Sequence, residues 1–140
     1  MAHAKNKNNP SEKKMVEAIS GLFRREGYNN QRTESQFCEK FIDFICWDKK
    51  ATKVVAVEAK VKSPAKAFEQ ASMYRYVADY VYVAVLKNGI NERAIELAMA
   101  TGIGLIFVRR DILDRYYATI KIVPNKSNYK DKNLTRYILE

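Results

Sequence analysis

Histidine is almost missing from this chain. The single one, His3, lies in a polar leader. That placement excludes a histidine metal cage, an HNH-type nuclease and a Ser-His-Asp triad. Cysteine is nearly as scarce. Cys38 and Cys46 show no metal-ligand spacing and read as small buried apolar side chains of a reducing compartment. No apolar run approaches the roughly 20 residues of a membrane span, so no membrane partner is expected. No G-x-x-x-x-G-K-[ST] run exists, which argues against a nucleotide-driven motor. The leader MAHAKNKNNP has no apolar signal core, and a cytoplasmic location is expected.

What is present suits one globular domain: 140 residues, 47% apolar and 29% charged. The net charge is +9, and it is unevenly spread. Lys5, Lys7, Lys13 and Lys14 against Glu12 give residues 1–14 a charge of +3. Lys121, Lys126, Lys130, Lys132 and Arg136 against Asp131 and Glu140 give residues 121–140 the same +3. Basic ends on a nearly balanced body fit a polyanion whose phosphates are neutralised by flexible arms. Solubility is the competing reading.

The expected organisation is a disordered basic leader (1–10), one domain (11–123) and a polar basic C-terminal segment (124–140). Ser11 is a candidate helix cap. Met15, Val16, Ile19, Leu22 and Phe23 then recur at helical spacing, and Gly27 closes the helix. Three strands follow, near Gln31–Phe37, Phe41–Trp47 and Lys53–Val61. Ser63-Pro64 opens a helix running to about Asp79, and Tyr80–Leu86 is a buried strand. Lys87-Asn88-Gly89 reads as a turn. Asn91 caps a third helix over Glu92–Ala100, Leu105–Val108 is another strand, and Tyr116–Val123 is an edge strand. The fold class is α/β, a mixed central β-sheet flanked by helices.

Charged residues inside the strand runs are the informative feature. Asp43 interrupts FIDFICW; Glu58 and Lys60 interrupt KVVAVEAKV. Glu58 and Lys60 are two apart and share a face. A four-residue turn, Asp48 to Ala51, pairs Trp47 with Thr52. It sets Asp43 opposite Ala56, on that same face. Two carboxylates and an ammonium then converge, as a hard divalent cation with a neighbouring lysine requires. The alternative is a buried ion-pair cluster with Lys60 between two acids. On the following helix, Ala67, Gln70, Met73, Tyr74, Val77 and Ala78 share one face, with Glu69, Ser72, Arg75 and Asp79 opposite. Gln70 is therefore a polar group in a sheet-facing stripe, either functional or a core glutamine bonded to backbone. Tyr74 is either part of a site or core packing with its hydroxyl at the rim.

These residues resemble the PD-(D/E)xK nuclease superfamily: Asp43, fourteen residues, then Glu58-Ala59-Lys60, on successive strands. Ile42 stands where the motif has proline. The Gln70-Ala71-Ser72-Met73-Tyr74 run resembles the Q-h-x-x-Y motif of the RecB-type and lambda-exonuclease-type branch. The size and motif spacing are also similar to Holliday-junction resolvases. The resemblance implies an αβββαβ restriction-endonuclease-like core with a further αβ unit. It also implies Mg²⁺ or Mn²⁺ on Asp43, Glu58 and the Ala59 backbone carbonyl, catalysis by Asp43, Glu58, Lys60 and Gln70, and hydrolysis of DNA phosphodiester bonds in repair, recombination or restriction. The family often adds a glutamate from its first helix. Glu12 lies in phase with the inward stripe and Glu17 does not; Glu12 is otherwise a helix-dipole partner. Lys62 and Lys66 read as phosphate contacts or as an exposed basic helix start, and Tyr74 as a further DNA contact. Partners implied are DNA, with RNA left open, and a second copy, since resolvases act as dimers. The alternative function is an inactive nucleic-acid-binding or partner-binding module on a nuclease-like scaffold.

Overall fold

The computed structural model describes residues 10–87 and 91–140. The leader residues 1–9 and most of the expected Lys87-Asn88-Gly89 turn lie outside the described residues. Met15, Ile19 and Phe23 are fully buried or nearly so, and they close helix α1 (Pro10–Arg25) onto a sheet. The helix starts at Pro10, so Ser11 lies within its first turn rather than capping it. Proline suits that position because its missing N–H has no intrahelical acceptor to lose. Gly27 ends the helix at φ 96°, with Tyr28 N donating to Phe23 O at 2.9 Å and Gly27 N to Arg24 O at 3.1 Å.

Three strands follow: β1 (Asn30–Phe37), β2 (Lys40–Trp47) and β3 (Val54–Lys60). They form an antiparallel meander. Helix α2 (Pro64–Met73) and a 3₁₀ turn (Tyr74–Tyr76) lead to β4 (Tyr80–Leu86). Helix α3 (Glu92–Thr101), β5 (Gly104–Arg110), β6 (Tyr116–Ile122) and α4 (Lys132–Leu139) complete the chain. The six strands lie in sequence order in one sheet. β3, β4 and β5 are mutually parallel, and β6 returns antiparallel. This is the expected mixed α/β sheet: an αβββαβ unit followed by a further αβ unit. α1 packs on one face against Phe44, Val55, Val57 and Ile106. α2, α3 and Ile138 of α4 cover the other, against Ile45, Ala56, Val83 and Leu105. Among the described residues no helix is long and apolar enough to cross a membrane.

Four further expectations are corrected. The β2–β3 connection spans residues 48–53, so Trp47 pairs with Val54 rather than Thr52. The Asp48 carboxylate folds this wider turn by accepting from Thr52 N at 2.7 Å and Lys53 N at 3.1 Å. The register moves by two residues, so no side chain changes face. Second, α2 buries Ala67, Phe68 and Ala71 and the 3₁₀ turn buries Tyr74, while Met73 is 49% exposed. Asp79, read as outward, is buried and accepts from Val54 N at 2.9 Å and Lys130 Nζ at 2.8 Å. Third, Cys38 is exposed in the β1–β2 turn at φ 58°, and only Cys46 is buried, where burial pushes its thiol pKa up. Fourth, the C-terminal segment is folded rather than a loose arm. The Asp131 carboxylate caps α4, and Thr135 Oγ1 donates to Val77 O at 2.8 Å. Arg32 holds the Ile138 and Leu139 carbonyls at 2.7 and 3.0 Å.

Candidate active site

The β2–β3 ladder stops at Phe44 and Val57, one step before the acids. Continuing that register would set Asp43 across from Glu58. Instead the Asp43 carboxylate takes a main-chain role: its Oδ2 accepts from Ala59 N at 2.7 Å. Opposite on β1, Glu34 has φ 51° and interrupts the β1–β2 ladder. β2 also loses strict alternation here, because Ile42 and Ile45 pack in the same layer while Phe44 packs in the other. The strands therefore splay at Asp43. An opened ladder leaves main-chain groups that must find other partners. Asp43 satisfies one, and the Tyr74 hydroxyl, 3.2 Å from Phe41 O, lies against another.

Glu58 is wholly buried and Asp43 is 6% exposed. Burying an unpaired carboxylate is costly, so its neighbours matter. Tyr74 donates its hydroxyl to Glu58 Oε1 at 2.7 Å. Gln70 Nε2 donates to the same oxygen at 3.3 Å and to the Tyr74 oxygen at 3.0 Å. Lys60 Nζ lies 3.7 Å from Glu58 Oε2. The desolvation of Tyr74 and the negative charges of Glu58 and Asp43 all push its pKa up, so its hydroxyl stays a donor. Tyr74 thus senses both acids. The sequence offers Tyr74 as rim packing, as the end of the Q-h-x-x-Y-like run and as a further DNA contact; it is buried and turned to Glu58, one helical turn after Gln70. Gln70 borders the buried stripe and is bonded to side chains, not to backbone.

Lys60 ends β3 and is 29% exposed along its side chain, facing a cavity of about 430 Å³. Glu12, Lys62, Lys66 and Gln70 line the same cavity. On the first helix, Glu12 lines this cavity and Glu17 is exposed to solvent. Ser63, at φ 59°, turns the chain sharply from β3 into α2 and brings Gln70 back over Glu58. A second hollow of about 450 Å³ shares Lys66 and Gln70 and runs to Lys40 and Cys38 at the β1–β2 turn. Lys40 was not singled out from sequence, because nothing local distinguishes it from other surface lysines.

Among the described residues no three His, Cys, Asp or Glu side chains gather into a metal cage. The side-chain donors on offer are the two carboxylates, both hard oxygen ligands. That set fits Mg²⁺, which is commonly held by one or two carboxylates, with water and substrate phosphate completing its shell. It does not fit zinc, whose sites favour nitrogen and sulfur.

No protein-family model matches the chain, and no curated protein matches it. Among solved structures, a protein of unknown function from Silicibacter pomeroyi is similar over 94% of this chain and 83% of its own, with TM-score 0.70 and 16% identity. At that identity the likeness shows a shared fold. A repair endonuclease from Pyrococcus abyssi is similar over 75% of this chain and 48% of its own, with TM-score 0.48 and 19% identity. SfsA from Pyrococcus furiosus, in complex with Ca²⁺, is similar over 82% and 61%, with TM-score 0.43 and 12% identity. At those scores neither of the last two supports a conclusion about this chain.

Proposed function

We propose that the protein is a metal-dependent deoxyribonuclease that hydrolyses phosphodiester bonds. One observation supports this reading: the Asp43 carboxylate reaches the backbone of Ala59, between Glu58 and Lys60, and the Lys60 ammonium lies 3.7 Å from the Glu58 carboxylate at a cavity also lined by Lys62 and Lys66. A Mg²⁺ or Mn²⁺ ion on Asp43, Glu58 and the Ala59 carbonyl would supply a more acidic bound water and neutralise charge on the phosphate. Lys60 orients the attacking water and stabilises negative charge that grows in the transition state. A compact ammonium suits that narrow position better than a guanidinium. Gln70 and Tyr74 act as positioning residues through Glu58, fixing the carboxylate's orientation. Lys62 and Lys66 hold the flanking phosphates, and their contribution weakens as salt rises. Glu12 borders the cavity as a further, weaker oxygen donor.

One observation favours the rival reading of an inactive binding module: Glu58 has no solvent exposure and both its oxygens face partners. A single assay separates the two. The protein is incubated with linear, nicked, single-stranded and four-way-junction DNA, with and without Mn²⁺, beside Lys60→Ala. The nuclease reading expects metal-dependent products, reduced about 10²–10³-fold in the variant, as on losing a transition-state donor. Equal cleavage by the variant, or no cleavage of any substrate, would remove it.

A further inference from the structure

β5 and β6 are joined by a tip, Asp111 to Arg115, with an unusual content. Ile112 is 100% exposed and Leu113 is 66% exposed. Tight turns ordinarily carry polar residues or glycine. These two apolar side chains are not on a loose loop. The Asp111 carboxylate accepts from Leu113 N and Arg115 N, each at 2.9 Å, and from Arg115 Nε at 2.7 Å. Asp111 N donates to Arg115 O at 2.9 Å, and Asp114 N to Asp111 O at 3.0 Å. The Asp114 carboxylate pairs with Lys14 of α1 and lies 3.8 Å from Arg110 Nε. Both acids of the tip are thus engaged in holding its shape, which presents Ile112 and Leu113 outward.

The tip also shares an end of the molecule with the candidate site. β3 and β5 run parallel, so Lys60 and Arg110 both mark strand C-terminal ends. The first turns of α1 connect them: Glu12 lines the site cavity and Lys14, two residues on, braces the tip. Arg109, Arg110 and Arg115 flank the apolar pair and are exposed.

The geometry points to a strand wedge: Ile112 and Leu113 enter the base stack of a DNA duplex beside the site, with the flanking arginines on phosphates. This inference rests on the nuclease reading and narrows its substrate. Apolar wedges of Ile or Leu unstack base steps in proteins that deform DNA. Unstacking costs least where the stack is already broken. The substrate class is therefore interrupted duplex DNA, with a nick, mismatch or frayed end, rather than continuous duplex.

The test uses the full chain and 2-aminopurine placed at a nick, in EDTA so that nothing is cut. Wild type should raise the fluorescence severalfold at the nick and much less in continuous duplex. The double variant Ile112→Ser, Leu113→Ser should abolish the rise while changing the dissociation constant less than threefold. Circular dichroism should show the variant folded, since both side chains are solvent-facing. A rise that survives in the variant overturns the wedge, as does no rise, or no binding, with wild type. So does tip-dependent binding to phosphatidylglycerol vesicles without base unstacking. Because this readout needs no hydrolysis, it separates from the parent reading. Unstacking without any Mn²⁺-dependent cleavage sinks the nuclease and leaves the wedge. Cleavage with equal preference for nicked and continuous DNA in wild type and variant does the reverse.

Discussion

Tyr74→Phe removes one oxygen and leaves the ring that packs beneath the site. That oxygen donates to Glu58 Oε1 at 2.7 Å, accepts from Gln70 at 3.0 Å and lies 3.2 Å from Phe41 O. Without it, Glu58 Oε1 loses the shorter of these two contacts and retains the longer one to Gln70 at 3.3 Å. A hydrogen bond to a charged group contributes about 1.5–3 kcal/mol. For a domain of this size that is a fall of about 5–12 °C in Tm. Cleavage should also fall about 10–100-fold, as when a residue that orients a metal-binding carboxylate is lost. Thermal unfolding followed by circular dichroism measures the first effect, and single-turnover cleavage the second. Tyr76→Phe is the control, since Tyr76 is 45% exposed and should change stability by less than about 0.5 kcal/mol. The pH dependence follows from the raised pKa of Tyr74. Its hydroxyl is protonated in both folded and unfolded chains below the ordinary phenol value of about 10, so the gap between wild type and variant is constant there. Above that value the unfolded phenol ionises, wild type loses stability, and the gap narrows. If Tyr74→Phe unfolds with the same Tm as Tyr76→Phe, the network does not hold Glu58 and the reasoning fails.

Three further outcomes test the fold. Gly104→Ala places a Cβ 2.7 Å from Tyr82 Cδ2, 2.8 Å from Pro124 Cδ and 2.9 Å from Ile122 O. Overpacking of this kind costs about 1–3 kcal/mol, and urea unfolding should show it; an unchanged midpoint contradicts that packing. Asp79→Ala strands Val54 N and Lys130 beside a buried position and should lower stability by about 3 kcal/mol, again by urea midpoint. Truncation after Lys130 removes Thr135 and Ile138, which are 6% and 7% exposed. A dispensable tail would leave Tm unchanged, whereas the folded α4 makes the truncated chain clearly less stable.

The strands were legible because β-branched and aromatic runs have few other homes. Tyr80–Leu86 was read with the bounds the structure gives it, and the other strands within about two residues. The pairing of Glu58 with Lys60 was legible for a similar reason, since β3 keeps its alternation, whereas β2 loses it beside Asp43. The register itself was not, because it depends on Asp48 folding a wider turn through its carboxylate, a bond that composition does not announce. Asp79 was misplaced because the helix tightens into a 3₁₀ turn after Met73. A wheel of constant pitch runs past that change. Residues 124–140 read as a tail because α4 buries little of its own surface. Its attachment comes instead from Arg32 and Thr135, whose main-chain acceptors lie far away in sequence. Cys38 read as buried because free cysteine usually is, but a hairpin turn set it outside.

The claim on which the function rests is that Asp43 and Glu58 together hold a divalent ion. Titration of Mn²⁺ into the wild-type protein and into Asp43→Asn by calorimetry tests it directly, with circular dichroism confirming that both are folded. The account predicts saturable binding by wild type that the variant loses. Equal binding by both, or none by wild type with or without DNA present, would contradict it.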